Sequence, residues 1–317
     1  MKILVTGGAG FIGSHIVDAY IDAGHQVSVI DNLVTGDETN LNKQAIFYKL
    51  DITSKEVNDL IIAQKFDIIN HQAAQIDVRI AVEDPVFDAQ SNILGTINIL
   101  EAAVKSNVKK FIFPSSGGAV YGEIPDDRLP ASENFPINPL SPYGAAKHAV
   151  EHYLYLYNKL YNLNYTILRY GNVYGERQSK KGEAGVVSIF ARLLAQNKTV
   201  TIFGDGEQLR DYIYVKDVVR INMIVSDLQR NFPEPAHFND WIYNVGTGSG
   251  YSVNLLYKHM AEYIKTDLMP VYENARKGEI FKTYINCNKA LRNLDFKAET
   301  SFKEGLISTF QWFLKNK

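Results

Sequence analysis

Thr6-Gly7-Gly8-Ala9-Gly10-Phe11-Ile12-Gly13 follows directly on the apolar run Ile3-Leu4-Val5 and leads into a helix-like stretch, Ser14 to Ala23. Gly7, Gly10 and Gly13 stand at G-x-x-G-x-x-G spacing. A strand, a glycine turn and a helix in that order form a site for a dinucleotide pyrophosphate. Glycines permit the tight turn and close backbone approach, and the helix N-terminus offers unpaired N–H groups at a positive dipole end. The next apolar run, Gln26-Val27-Ser28-Val29-Ile30, ends in Asp31. A carboxylate about 20 residues past the glycines suits adenosine ribose hydroxyls and repels a 2′-phosphate, so NAD is favoured over NADP.

Working outward, strand-like runs alternate with helix-like ones. Strands are expected at Ile46–Leu50, Asp67–His71, Lys110–Phe113 and Tyr165–Arg169, and helices around residues 54–64, 91–106 and 144–161. In the second helix Ile93, Leu94, Ile97, Leu100 and Val104 recur at helical spacing. Alternating β and α units imply a doubly wound parallel α/β sheet of Rossmann type, its short apolar strands buried on both faces. Past about residue 175 the alternation loosens, although Trp241–Gly246 reads as a strand returning to the main sheet. The expected organisation is a dinucleotide-binding domain over 1–172, with a returning segment near 212–248. A smaller α/β substrate-binding region would comprise 173–211 and 249–317.

The chain has 317 residues, 46% hydrophobic and 21% charged, with a formal net charge of −2. That balance suits an ordinary globular protein and gives no footprint for nucleic acid or an acidic membrane. Cys287 is the single cysteine, which excludes an internal disulfide and fits a cytoplasmic location. No signal peptide and no apolar run of membrane-spanning length is seen. His148 and His152 stand at i, i+4, but no third ligand accompanies them, so no metal is expected.

Tyr143 and Lys147 form a Y-x-x-x-K pair within S-P-Y-G-A-A-K. One helical turn apart, both side chains share a face. A phenol that serves as a base near pH 7 must lose about 3 pKa units, or ~4 kcal/mol, and a neighbouring ammonium favours that. Upstream, Phe113-Pro114-Ser115-Ser116-Gly117-Gly118-Ala119-Val120-Tyr121-Gly122 is a strand running into a small-residue loop. Sites in parallel sheets lie at the C-terminal strand ends, where a serine hydroxyl can meet the tyrosine over a substrate. Turn chemistry is the alternative role for Ser115 and Ser116.

Together, the glycine turn, S-S-G-G-A-V-Y-G, S-P-Y-G-A-A-K and L-R-Y-G-N-V-Y-G resemble the extended short-chain dehydrogenase/reductase family. Within it the chain is similar to the UDP-glucose 4-epimerases and related nucleotide-sugar epimerases. The resemblance implies that Tyr143 takes the proton of the sugar 4-hydroxyl while C4 gives hydride to NAD. The 4-keto sugar then turns over and is reduced on its other face. Lys147 would hold the nicotinamide ribose and depress the tyrosine pKa. NAD would be lined by Gly7, Gly10, Phe11, Ile12, Gly13, Asp31, Asn32, Gly36, Asp51, Ile52, Gln72, Ala73, Ala74, Gln75, Asn92, Ser115 and Tyr170. Many such epimerases carry a catalytic Ser or Thr at the position of Gly117, so Ser116, one residue earlier, is expected to serve instead. Related dehydratases and decarboxylases carry Glu where this chain has Ala119, which cannot move a proton.

The UDP-sugar would contact Asn172, Val187 and Phe203, the last two from stretches resembling a uridine pocket, with Arg210 and Arg276 on the diphosphate and Glu279 on the ribose. Thr283, near a position linked to exclusion of N-acetylated sugars, would leave room for UDP-GlcNAc. Tyr153, Tyr155, Tyr157 and Tyr161 suggest a partner surface, and the resemblance implies a homodimer packing the 91–106 and 144–161 helices. The competing readings are a nucleotide-4-keto-sugar reductase using dissociable NAD(P)H, an epimerase of another UDP-sugar such as a uronate, and a non-enzymatic NAD-sensing protein.

Overall fold

The computed structural model describes residues 1–178, 185–230, 234–275 and 280–316. Its centre is a seven-stranded sheet. The strands are β1 (Lys2–Thr6), β2 (Gln26–Asp31), β3 (Ile46–Lys49), β4 (Ile68–His71), β5 (Lys110–Ser116), β6 (Tyr165–Tyr170) and β7 (Ile242–Val245). Every pairing is parallel, in the spatial order β7-β6-β5-β4-β1-β2-β3. The order reverses between β1 and β4, which opens a crevice at their C-terminal ends. The expected returning strand is β7, paired with β6 at the sheet edge.

β1 after Lys2, all of β4 and all of β6 are buried, as strands covered on both faces must be. One face carries α2 (Lys55–Gln64), α3 (Gly95–Lys105) and α4 (Pro142–Tyr161), whose Val57, Ile61, Ile99, Leu100, Val150 and Leu154 meet Leu4, Ile69, Phe111 and Phe113. The other carries α1 (Phe11–Asp22) and α6 (Val215–Val225), with Ile16, Val17, Val218 and Ile221 on Ile3, Val5, Val29 and Ile112. A separate apolar cluster joins α5 (Val186–Ala195), α7 (Val253–Ile264) and α8 (Phe302–Lys315). The short strand Asn172–Tyr174 pairs with Tyr212–Tyr214 and straddles the expected boundary between residues 172 and 173.

Three local departures from the sequence reading bear on the site. β5 runs to Ser116, beyond Phe113, because Pro114, Ser115 and Ser116 pair with Leu168, Arg169 and Tyr170. The helix expected from residue 91 begins instead as a π-helical turn, Gln90–Leu94, before α3. Two short helices, Val78–Glu83 and Pro85–Ala89, precede it, the second capped by Asp84. Among the described residues no helix is long and apolar enough to cross a membrane.

Candidate active site

The glycine turn is built by contact. Gly7 sits at φ +69°, and a Cβ there would lie 2.6 Å from the Ala73 backbone nitrogen, where β4 ends beside β1. At Gly13 a Cβ would lie 2.2 Å from the Gly7 carbonyl oxygen. Only glycine lets α1 start this close to the turn. Gly10 donates to Gly7 O at 3.0 Å and so closes it. The N-terminal N–H groups of α1, around Phe11 and Ile12, face the crevice mouth where an anion is stabilised.

Asp31 ends β2 with its side chain 8% exposed. Its carboxylate accepts the backbone N–H of Ala9 at 3.0 Å and of Leu33 at 2.8 Å, which ties the turn to the second strand. Burial raises its pKa, and the two backbone hydrogen bonds oppose that. Gly36 is pressed against it, since a Cβ there would come within 2.8 Å of Asp31 Oδ1. Asn32 Nδ2 donates to Asp51 Oδ2 at 2.7 Å, so these two expected cofactor residues meet. Ile52 turns the other way, its side chain buried in the core against Gly95.

Beyond β4, Gln72 Nε2 donates to Asn70 Oδ1 at 2.6 Å, and the Ala73 N–H reaches Thr6 Oγ1 at 3.2 Å. Ala74 leads into Gln75, whose N–H donates to Asn92 Oδ1 at 2.9 Å. Asn92 Nδ2 returns to Gln75 O and to Asp88 Oδ1, both at 2.9 Å. Asn92 therefore braces the 72–75 segment from the π-helical turn, and its amide is occupied in doing so. Tyr170, buried at the end of β6, receives a hydrogen bond from Asn222 Nδ2 at 2.7 Å.

Tyr143 lies in the first turn of α4, which Ser141 caps by accepting Gly144 N–H at 3.2 Å. Gly144 brings the turn against the loop after β5, because a Cβ there would lie 2.6 Å from Ala119 O. Lys147, 4% exposed, reaches back to β5. Its Nζ donates to Pro114 O at 3.0 Å and stands 5.7 Å from the centre of the Tyr143 ring. Burial lowers its pKa to about 8, against the Asp88 and Glu151 carboxylates, which raise it.

Ser116 ends β5 in register with Tyr170. Its Oγ lies 3.9 Å, and Asn172 Oδ1 3.3 Å, from where a Gly118 Cβ would be, so both side chains border one loop surface. A Cβ on Gly117 would meet the end of the Ile285 side chain, with Cδ1 at 2.9 Å, so a serine or threonine there would require Ile285 to shift. Ser115 is buried, and its hydroxyl makes no hydrogen bond among the described residues.

On the substrate side, Arg210 pairs with Tyr251 and Thr283 in a small sheet, and its Nη1 donates to Phe281 O at 3.2 Å. Phe203 ends the strand Thr201–Phe203 beside Glu273. The Val187 side chain is buried in the α5–α7–α8 core. Thr283 is likewise buried, and its carbonyl accepts Asp211 N–H at 3.2 Å. Arg276 and Glu279 lie outside the described residues.

The tyrosines expected on a partner surface divide. Tyr153 and Tyr161 are exposed, Tyr157 is buried with its hydroxyl on Glu101 at 2.6 Å, and Tyr155 packs on Phe238. His152 stacks on the same Phe238 at 4.2 Å, and His148 pairs with Glu151 at 2.9 Å. Among the described residues no group of three metal-ligating side chains forms.

Three buried groups around Lys147 escaped the sequence reading: Asp88, Glu151 and Arg169. Glu151 was one further helical turn along Y-x-x-x-K-x-x-x-E, and Arg169 stood inside the quoted L-R-Y-G-N. Asp88 gave no signal, because its role depends on the short helices folding beside α4.

The profile of the NAD dependent epimerase/dehydratase family matches residues 3–246. The UDP-glucose 4-epimerase of Mycolicibacterium smegmatis is 39% identical over 318 residues, covering 99% of this chain and 98% of that protein. The Thermotoga maritima UDP-glucose 4-epimerase, solved with UDP-glucose, superposes with a TM-score of 0.94 at 44% identity, over 100% of this chain and 99% of that one. The Thermus thermophilus UDP-glucose 4-epimerase, solved with NAD, gives 0.90 at 39% identity, over 99% of each chain.

Proposed function

Because this chain belongs to the NAD dependent epimerase/dehydratase family, we propose that it is a UDP-sugar 4-epimerase that interconverts UDP-glucose and UDP-galactose. One observation carries the reading. Tyr143 and the buried Lys147 lie on one helical face, near the loop at Gly118 that the side chains of Ser116 and Asn172 border, at the end of the sheet where the glycine turn opens. The full-length likeness to the Thermotoga maritima enzyme with UDP-glucose supports the choice of sugar nucleotide.

The turn fits a dinucleotide, since the space beside Gly7 and Gly13 is too close for any side chain and Asp31 waits at the ribose position. Gly7 to Gly13, Asp31, Asn32, Gln72 to Gln75 and Lys147 would hold NAD. When bound there, NAD supplies reversible acceptance of hydride from the sugar C4. Tyr143 takes the 4-hydroxyl proton and later gives it back. Lys147 lowers the energy of the phenolate by its charge. Ser116 orients the 4-oxygen, and Ala119 leaves the loop without a second acid, so the reaction stops at the epimer. Asn172 and Arg210 bind the diphosphate end, with Phe203 on the uridine side. Arg276 and Glu279 are proposed for the same end. The nucleotide-sugar half would be 173–211 with 249–317.

Epimerisation of UDP-glucose serves galactose metabolism, and a single cysteine suits a reducing cytoplasm. A homodimer is proposed across α3 and α4. Leu156 and Leu160, one turn apart on α4, are 48% and 66% exposed, and Val86 and Leu94 lie exposed on the segment leading to α3. Several large apolar side chains exposed on these elements are what an interface would cover.

The test is NMR of purified protein with UDP-glucose and with UDP-GlcNAc, without added NAD. Conversion to the galacto epimer, lost in Tyr143→Phe, is expected for UDP-glucose. Turnover that needs added NADH and yields no epimer would replace the reading with a 4-keto-sugar reductase.

A further inference from the structure

α4 carries a third buried group in line with the catalytic pair. Glu151 follows Lys147 by one turn as Lys147 follows Tyr143, so the three form one stripe. Glu151 is fully buried, and its carboxylate accepts Arg169 Nε at 2.8 Å and Nη2 at 2.7 Å, with His148 Nδ1 at 2.9 Å. Arg169 lies on β6 opposite Ser115 and is also fully buried. Its Nη1 donates to Tyr121 Oη at 2.9 Å and to Glu133 O at 3.4 Å. Tyr121, in the substrate loop, donates onward to Asn244 Oδ1 on β7 at 2.7 Å. One guanidinium fork thereby ties together the helix of Tyr143, the strand before Asn172 and the loop after Ser116.

A buried ion pair adds little stability for its own sake, because desolvation offsets the attraction. Its position calls for another role. From this geometry, and resting on the epimerase reading above, we infer that Glu151, fixed by Arg169, is a positioning residue that serves as the countercharge keeping Lys147 an ammonium beside Tyr143. The groups facing Lys147 are few. They are Tyr143 and Glu151 along α4, Asp88 from Pro85–Ala89, His71 from β4, and the Phe113 ring and Pro114 carbonyl of β5, with Arg169 of β6 behind Glu151. His71 is held neutral by burial, with its pKa lowered to about 3, so Asp88 and Glu151 are the two anions that oppose desolvation of the lysine. Arg169 stands behind Glu151 and holds its carboxyl ionised, well below the usual range. As pH rises through the Lys147 pKa the ammonium is lost, and activity falls with it.

The experiment follows Lys147 directly, by the 13C shift of its ε-carbon in lysine-labelled, NAD-bearing protein assigned with Lys147→Arg. Initial rates on UDP-glucose are measured across the same pH range. Glu151→Gln is expected to lower the Lys147 midpoint by about one pH unit. The alkaline fall in kcat should move with it, while KM stays within about twofold. Should the single variant not fold, Glu151→Gln with Arg169→Met removes both charges and leaves no unpaired guanidinium, and the same fall is expected. Arg169→Lys keeps the carboxylate paired and should leave the midpoint within about 0.3 of its original value. An unmoved midpoint in the single and the double variant, with kcat alone reduced, would overturn the proposal. A wild-type protein inactive on UDP-glucose would refute the epimerase reading instead, and the NMR midpoint, which needs no substrate, would still decide the role of Glu151.

Discussion

Replacing Gly13 by alanine tests the cofactor cradle most directly. The new Cβ would lie 2.2 Å from the Gly7 carbonyl oxygen and 2.9 Å from its carbon. Ordinary contacts of this kind are about 3.5 Å, so α1 and the turn must part by about 1 Å. Crowding of this sort costs about 1–3 kcal/mol, partly offset by the ~1 kcal/mol that alanine gains over glycine inside a helix. The fold should therefore survive with a modest loss. The cofactor should suffer more, because the N–H groups of α1 retreat from the pyrophosphate. Two charge-assisted hydrogen bonds weakened at about 1.5 kcal/mol each make ~3 kcal/mol, or about two decades in Kd. The assay is NAD retained through gel filtration, followed by the thermal midpoint with and without excess NAD. Wild type should hold NAD and gain stability from it, whereas Gly13→Ala should emerge without NAD and gain only at much higher concentration. Gly24→Ala is the control. Gly24, unlike the helical Gly13, has positive φ, at +80°, but nothing lies within 4 Å of its Cβ, so it should lose some stability and keep its NAD. If Gly13→Ala binds NAD within about threefold of wild type, the turn does not hold the pyrophosphate through the N–H groups of α1.

Ser116→Ala should lower kcat about a hundredfold, the scale of a lost donor at a reacting oxygen, while NAD stays bound. Unchanged kcat would assign that oxygen to another group. His71 sits between Thr6 Oγ1 at 2.7 Å and Thr96 Oγ1 at 3.0 Å, with burial lowering its pKa to about 3. The unfolded chain binds this proton more readily, so stability is complete above about pH 6.5 and is lost as pH falls from there toward 3. Urea unfolding at pH 7 and pH 5 should show the loss, and His71→Gln should flatten that interval; an equally steep dependence in the variant would place the protons elsewhere. Leu160→Glu, on the exposed face of α4, should shift the sedimenting species from dimer to monomer at micromolar concentration, and a wild type already monomeric would remove the proposed interface.

The alternation of strands and helices, the glycine turn and the spacing of Tyr143 and Lys147 were legible in the chain, since each is a local pattern. Apolar runs of strand length, a glycine spacing that only a tight turn uses and a one-turn separation on a helix need no distant partner to be read. What lay beyond reach depends on which segments meet. β5 looked shorter than it is because Pro114 to Ser116 become strand only through pairing with β6. The direction of the Val187 side chain was settled by α7 and α8, which bury it, and Thr283 went inward under the Arg210 strand for the same reason. Gly117 could be read as a missing hydroxyl, but that Ile285 fills the space is a fact of packing between residues far apart in sequence. The charge around Lys147 belongs with these. A lysine in a sequence is an ammonium in water, and only the fold, by burying it between Asp88 and Glu151, decides how firmly its proton is held.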